Sequence, residues 1–114
     1  MNAPFPFAGR HLFVAGGSSG INFGVARAFA RAGARVSLIS RSADKVAAAA
    51  AELEALGTQA LGMSADVRQP EAVQAALAQA QARFGPIDVL LSGAAGNFLA
   101  RALDMSPNAF KTVV

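Results

Sequence analysis

Cysteine, tryptophan and tyrosine are absent from this 114-residue sequence, and His11 is its single histidine. The absence of cysteine excludes a disulfide scaffold, a thiolate metal site and a cysteine nucleophile. One histidine is too few for a histidine-built metal site, so we expect no bound metal. The absence of tyrosine removes a common catalytic acid from the chain.

Charge is also scarce, since 15% of the residues are charged and 54% are hydrophobic. This apolar fraction supplies a core, and the length suits one domain, residues 1–114. The net charge of +3 comes from scattered basic residues, and the one close set, Arg27, Arg31 and Arg35, is spaced as a helix edge that runs into the next element. We therefore expect a solvated helix face and no nucleic-acid partner.

No stretch of the sequence is both long and apolar enough for a membrane span or a signal peptide. Residues 1–10 have Pro6 between two phenylalanines and end in Arg10, so they lack an apolar signal core. We expect no membrane partner and a cytoplasmic location.

Short apolar runs alternate with amphipathic segments along the chain. Gly33 and Gly57 mark predicted helix ends, whereas Ser42 and Pro70 mark predicted helix starts. The alternation predicts parallel strands joined by right-handed crossovers, an α/β doubly wound sheet of the Rossmann type with helices on both faces. Strands are predicted at residues 11–15, 35–40, 59–64 and 87–91, and helices at residues 21–32, 42–56, 70–84 and 106–114.

The predicted fourth strand is apolar along its whole length, as strands buried on both faces are. It would lie at one edge of the sheet, and the last helix would have little to pack against. We therefore interpret residues 1–114 as the dinucleotide-binding, amino-terminal half of a larger domain. On the first helix, Ile21, Val25 and Phe29 recur at four-residue spacing, which is typical of a helix.

A glycine-rich loop, residues 16–24, joins the first strand to the first helix. Such a loop presents unpaired N–H groups at the positive end of a helix, where a pyrophosphate binds. Gly16 would permit the turn, Gly20 the approach to the phosphates, and Gly24 close packing of helix on sheet. An ordinary turn is the alternative, but the strand–loop–helix context favours a phosphate site. The predicted contacts are Gly16, Ser18, Ser19, Gly20, Ile21 and Asn22.

The second strand ends in Ser40-Arg41-Ser42 and carries no carboxylate there. An acidic residue at this place usually holds the 2′-hydroxyl of NAD, whereas arginine and serine suit the 2′-phosphate of NADP. Asp44 belongs to the first turn of the next helix, where the helix dipole accounts for it. We predict NADP(H), bound through Ser40 and Arg41; the alternative for Arg41 is a solvated charge at a helix start.

Two further strand ends point to the same crevice. Asp66 follows the third strand, where its carboxylate suits an adenine amino group; a turn aspartate is an equal alternative. The small residues after the fourth strand would let a ribose or nicotinamide lie against backbone, with a flexible loop as the alternative. The predicted cofactor contacts here are Asp66, Val67, Ala94, Ala95 and Gly96.

These segments together resemble the amino-terminal half of the short-chain dehydrogenase/reductase family, most of all its 2,4-dienoyl-CoA reductase type. The resemblance covers nearly the whole chain. It implies an NADP(H)-dependent oxidoreductase, a homo-oligomer, that reduces an unsaturated acyl-CoA. It also implies that Arg68 contacts a CoA phosphate and Phe98 the acyl chain; a solvated loop charge and a core residue are the respective alternatives. The matching segments are residues 16–24 (family pattern TGxxxGIG), 40–42, 66–68, 84–88, 92–99 and 108–113.

The sequence departs from the family pattern at several positions. Ala15 replaces the motif threonine, Asn22 replaces the third motif glycine, and the NNAG asparagines are replaced around Ser92 and Gly93. The family's catalytic Ser and Tyr-x-x-x-Lys are expected beyond Val114, so we predict no catalytic residue in this chain. A non-catalytic NADP-binding module or sensor is the alternative function. A Tyr-x-x-x-Lys downstream in the gene would favour the enzyme, and a stop codon the module.

Overall fold

A computed structural model of the chain describes residues 7–16 and 20–92. It confirms the seven elements predicted within these ranges, with bounds that differ by two residues or fewer. The predicted helix at residues 106–114 lies outside the described residues. The elements are β1 (His11–Ala15), α1 (Gly20–Arg31), β2 (Arg35–Ser40), α2 (Ala43–Glu54), β3 (Ala60–Ser64), α3 (Pro70–Phe84) and β4 (Val89–Ser92).

The four strands form one parallel sheet in the order β3-β2-β1-β4. Phe13 of β1 points into a core cluster shared with α3, whereas Leu12 points into a second cluster shared with α1 and α2. The sheet therefore has an apolar core on both faces, and all five residues of β1 are buried. This confirms the Rossmann-type α/β architecture and the position of the fourth strand at an edge of the described sheet.

Helix α1 turns a face of small residues to the sheet. Ile21 is 86% exposed, so the four-residue spacing of large side chains does not mark the buried face of this helix. The fully buried residues of α1 are Ala26 and Ala30, with Phe23 and Phe29 packed beside them. Alanine leaves the helix backbone close to the strands, and this favours the small-residue face over the face with larger side chains.

The close approach of helix to sheet lies at Gly62, not at Gly24. Among residues 7–16 and 20–92, a Cβ atom at Gly24 would meet nothing within 4 Å, and Gly24 is exposed, so its predicted packing role is wrong. A Cβ atom at Gly62 of β3 would lie 2.5 Å from the carbonyl oxygen of Val46 in α2. Only glycine leaves room for this helix backbone to rest on the strand.

A buried polar network closes the amino-terminal edge of the sheet around His11, the first residue of β1. Its Nδ1–H donates to the Gly85 carbonyl (3.0 Å), and its Nε2 accepts from the Ser37 hydroxyl (2.6 Å). The His11 backbone N–H donates to the Asp88 carboxylate (3.0 Å), and the Asp88 N–H donates back to the His11 carbonyl (2.9 Å). Burial lowers the pKa of the ring, so it is held neutral.

None of the helices within the described ranges has the length and apolar character needed to cross a membrane. In the same ranges, no group of three or more acidic or histidine side chains is arranged to hold a metal ion.

Candidate functional site

The carboxyl ends of all four strands meet at one edge of the sheet. Ala15 of β1 lies opposite Ile39 of β2 and Ser92 of β4. The chain runs from β1 outward through β2 to β3, then crosses back to place β4 on the other side of β1. The strand order therefore reverses between β1 and β4, and ligands of open α/β sheets bind at this switch point, beside the carboxyl ends.

Gly16 and Gly20 are the described glycines at the two ends of the segment that joins β1 to α1. Gly16 and Gly20 have φ angles of 81° and 70°, a region that other residues rarely adopt. The Gly16 N–H donates to the Ile39 carbonyl at 2.9 Å, which fixes the start of the turn beside β2. Gly20, exposed, begins α1, and the first turn of that helix carries no acidic residue. Its backbone N–H groups are therefore suited to an anion.

The other residues predicted for the phosphate loop are placed unevenly. Ile21 is exposed and Asn22 is half-buried, both in the first turn of α1. Ser18 and Ser19 lie outside the described residues. The contacts predicted after the fourth strand, Ala94, Ala95, Gly96 and Phe98, also lie outside them.

The end of β2 is held by hydrogen bonds that leave the Arg41 side chain in solvent. Ser42 caps α2: its hydroxyl accepts from the Lys45 N–H at 3.2 Å, and its own N–H donates to the Ser40 hydroxyl at 3.3 Å. The Ser64 hydroxyl donates to the Arg41 carbonyl at 3.2 Å. None of the ion pairs formed within residues 7–16 and 20–92 involves Arg41. The backbone is thus fixed, and the guanidinium faces outward.

Asp66 and Arg68 form a bidentate ion pair after β3. The Asp66 Oδ1 accepts from the Arg68 backbone N–H (2.9 Å) and Nε (3.1 Å), and Oδ2 accepts from Nη2 (2.9 Å). These bonds, with a further contribution from the Arg41 charge, lower the pKa of Asp66 to about 2. Asp66 is thus ionised and held in a turn by Arg68, and Arg68 is paired, not simply solvated. Val67 packs, half-buried, against the core on the α3 side.

This pairing is the feature of the site that the sequence did not indicate. Residues two apart face each other only in particular turns, and the Asp66 carbonyl here accepts from the Gln69 N–H at 3.0 Å to make one. In the sequence, the Asp-x-Arg spacing is the only signal for this ion pair, and it is a weak signal.

A family model described as short chain dehydrogenase matches residues 10–114. The chain belongs to the short-chain dehydrogenase/reductase family. The peroxisomal 2,4-dienoyl-CoA reductase of Rattus norvegicus is 50% identical over 103 residues, which are 90% of this chain and 35% of the relative. A 3-dehydrosphinganine reductase of Arabidopsis thaliana is 38% identical over 96% of this chain and 32% of its own length. The chain thus spans about a third of these relatives.

Solved structures of the family have the same architecture. L-sorbose reductase from Gluconobacter frateurii, in complex with NADPH and L-sorbose, superposes with a TM-score of 0.75 at 33% identity; the match covers 82% of this chain and 36% of that one. A short-chain dehydrogenase from Mycobacterium thermoresistibile matches with a TM-score of 0.74 at 36% identity, over 78% of this chain and 34% of that one.

The described residues of this short-chain dehydrogenase/reductase fit a nicotinamide dinucleotide. The first turn of α1, which begins at Gly20, presents backbone N–H groups to a phosphate at the switch point. Arg41 offers an exposed cation at the end of β2, and Asp66 an ionised carboxylate at the end of β3. These groups follow one another along the carboxyl edge of β1, β2 and β3, as the parts of one extended ligand require.

Proposed function

We propose that this chain supplies the cofactor-binding part of an NADP(H)-dependent reductase that acts on an unsaturated acyl-CoA such as a 2,4-dienoyl thioester. The single observation that supports the cofactor choice is the end of β2, where an exposed arginine stands in place of a carboxylate. A carboxylate there would repel a 2′-phosphate, whereas a guanidinium attracts it and fits its geometry.

Different residues of the crevice would bind different parts of the dinucleotide. Arg41 and Ser40 would hold the 2′-phosphate, and Asp66, beside Val67, the adenine. Arg68 and Phe98 would contact the acyl-CoA. The nicotinamide, when bound, supplies the hydride chemistry. The pyrophosphate and the nicotinamide half would be bound by the remaining predicted residues, Gly16, Ser18, Ser19, Gly20, Ile21, Asn22, Ala94, Ala95 and Gly96.

The substrate class is supported by the relatives. The 2,4-dienoyl-CoA reductase of rat is more similar to this chain than the 3-dehydrosphinganine reductase of Arabidopsis, at 50% against 38% identity. The catalytic groups, the homo-oligomeric assembly and the cytoplasmic location stay predictions of the sequence.

The test is carried out on the complete gene product. Oxidation of NADPH is followed by the loss of nicotinamide absorbance, with a 2,4-dienoyl-CoA and 3-dehydrosphinganine as parallel substrates, and NADH replaces NADPH in matched reactions. We expect turnover of the dienoyl thioester with NADPH, and a lower kcat/KM with NADH. Turnover of 3-dehydrosphinganine alone would contradict the substrate class. NADPH binding without turnover of either substrate would favour the binding module.

A further inference from the structure

The pair of Asp66 and Arg68 leaves defined hydrogen-bonding capacity on both partners. A carboxylate accepts about four hydrogen bonds, and Arg68 uses three of these positions, two on Oδ1 and one on Oδ2. One position on Oδ2 therefore remains. A guanidinium has about five N–H groups, and this pair uses one on Nε and one on Nη2. Three N–H groups of Arg68 remain, in a fork whose orientation Asp66 fixes.

The charges around the pair favour a second anion. The Arg41 charge also lowers the pKa of the Asp66 carboxyl, after the larger effects of Arg68. Arg41, Arg68 and Asp66 together therefore carry a net positive charge. Arg68 remains accessible, since 60% of its side chain is exposed against 22% for Asp66.

Ordering an exposed ion pair of this kind costs conformational entropy. Holding a long arginine side chain in one geometry in water loses rotamer entropy, and this offsets much of the attraction. A ligand that binds Asp66 and orders the pair removes that cost for a second ligand that binds Arg68. Two ligands that share the pair therefore assist each other, and the assistance is reciprocal.

We propose that Asp66 is a positioning residue that couples the cofactor to the substrate: its remaining acceptor position takes the adenine amino group, and its other three hold the Arg68 fork for a phosphate of the acyl-CoA. This inference rests on the proposed function. The consequence is that cofactor and substrate bind cooperatively through residues far from the reacting atoms, on the adenosine side of the crevice.

The experiment measures the Kd of NADPH by calorimetry on the complete gene product, without and with saturating coenzyme A, which carries no acyl group and cannot turn over. We expect coenzyme A to tighten NADPH binding about fivefold or more, and NADPH to tighten coenzyme A binding by the same factor. 3′-Dephospho-coenzyme A is the matched probe. It lacks the 3′-phosphate but keeps the diphosphate. Because we assign the Arg68 fork to the 3′-phosphate, this probe is expected to leave the Kd of NADPH unchanged.

Variants of Asp66 and Arg68 distinguish the positioning of the Arg68 side chain from the effect of its charge. Arg68→Ala is expected to abolish the coupling with little change in the Kd of NADPH alone. Arg68→Lys keeps the charge but cannot form the fork, so it is expected to stay uncoupled. Asp66→Asn is expected to lose the coupling too, and the double variant Asp66→Asn/Arg68→Ala to lose no more than either. Arg31→Ala, an exposed arginine at the other end of α1, is the control and is expected to behave as wild type.

Several outcomes would overturn the proposal. They are an uncoupled wild type, coupling retained in Arg68→Ala or fully kept in Arg68→Lys, and equal coupling by 3′-dephospho-coenzyme A. A wild type that binds NADPH but not coenzyme A would also overturn it while leaving the cofactor assignment standing. A wild type that does not bind NADPH would instead remove the proposed function itself.

Discussion

The two arginines at the carboxyl edge of the sheet have different surroundings. Arg68 is held by both oxygens of Asp66, whereas Arg41 is exposed and takes part in no ion pair of the described residues. A guanidinium that is already paired has fewer N–H groups left for a second acceptor. Of the two, Arg41 is therefore better suited to hold a 2′-phosphate with its full capacity.

Replacing Arg41 by aspartate is expected to weaken NADPH binding by about 1–3 kcal/mol, the usual range for hydrogen bonds to charged groups, and to shift preference toward NADH. A carboxylate repels the 2′-phosphate and accepts from a 2′-hydroxyl. Calorimetric titration with both cofactors checks this. Arg31→Asp makes the same change of charge on the far turn of α1 and is expected to leave the cofactor preference unchanged. Unchanged NADPH affinity in Arg41→Asp would remove this residue from the site.

His11 is expected to make stability depend on pH. Burial lowers its pKa in the folded protein below the ordinary value of 6.5, to which it returns on unfolding. Between these two pKa values the unfolded chain binds more protons, so the free energy of unfolding falls as the pH falls below 6.5. Urea unfolding at about pH 7.5 and about pH 5.5 measures the loss.

The matched variant for this measurement is His11→Gln, which stays neutral at both pH values. It is expected to be less stable than wild type at the higher pH, because Gly85 and Ser37 lose their ring partner. Its loss of stability between the two pH values should be smaller than that of wild type. An equal loss would mean that other groups carry the pH dependence.

At the scale of elements, the contact between β3 and α2 depends on one missing methyl group. Gly62→Ala would place a Cβ atom 2.5 Å from the backbone oxygen of Val46, and a helix backbone cannot move aside as a side chain can. We expect a loss of about 1–3 kcal/mol in the free energy of unfolding, the range for overpacked cores. Gly24→Ala is the control, since its Cβ meets nothing and alanine favours a helix by up to about 1 kcal/mol. Denaturant midpoints that fall equally for both would contradict this.

Elements whose residues carry their own signals were predictable from the sequence. The bounds of β1, β2 and α3 match the prediction, because apolar runs and breaking residues mark them. The buried face of α1 was not predictable, since its four-residue spacing of large side chains competes with a face of alanines, and packing against the sheet decides between them.

The features of the candidate site also divide into those that the sequence predicts and those that it does not. The turn at Gly16 was predictable, because glycine readily adopts the left-handed backbone that Gly16 has. The bond from His11 to Asp88 joins residues 77 positions apart, and no local pattern predicts it. The pair of Asp66 and Arg68 depends on the detailed path of one turn.

At the scale of the whole molecule, β4 is an edge strand of the described sheet. Val89 and Leu91 are only half-buried there, and an edge strand can pair with a strand of another chain. A polypeptide of residues 1–114 is therefore expected to self-associate in sedimentation at increasing concentration. It is also expected to show no NADPH oxidation with a dienoyl thioester, because the resemblance assigns catalysis to residues beyond Val114. A monomer that turns over substrate would contradict both expectations.

The central place of β1 also sets an order of assembly. Each element from β1 to β3 packs against elements that are close to it in sequence. These elements can therefore assemble as the chain is synthesised. β4 alone must close a long loop to reach β1, which costs chain entropy and delays its docking. Until the segment around Asp88 emerges, one side of β1 has no strand partner in this sheet. On the ribosome, β1 is synthesised first but gains its second strand neighbour, β4, last in this sheet. The backbone amides of β1 that face β4 are therefore expected to gain protection from hydrogen exchange late.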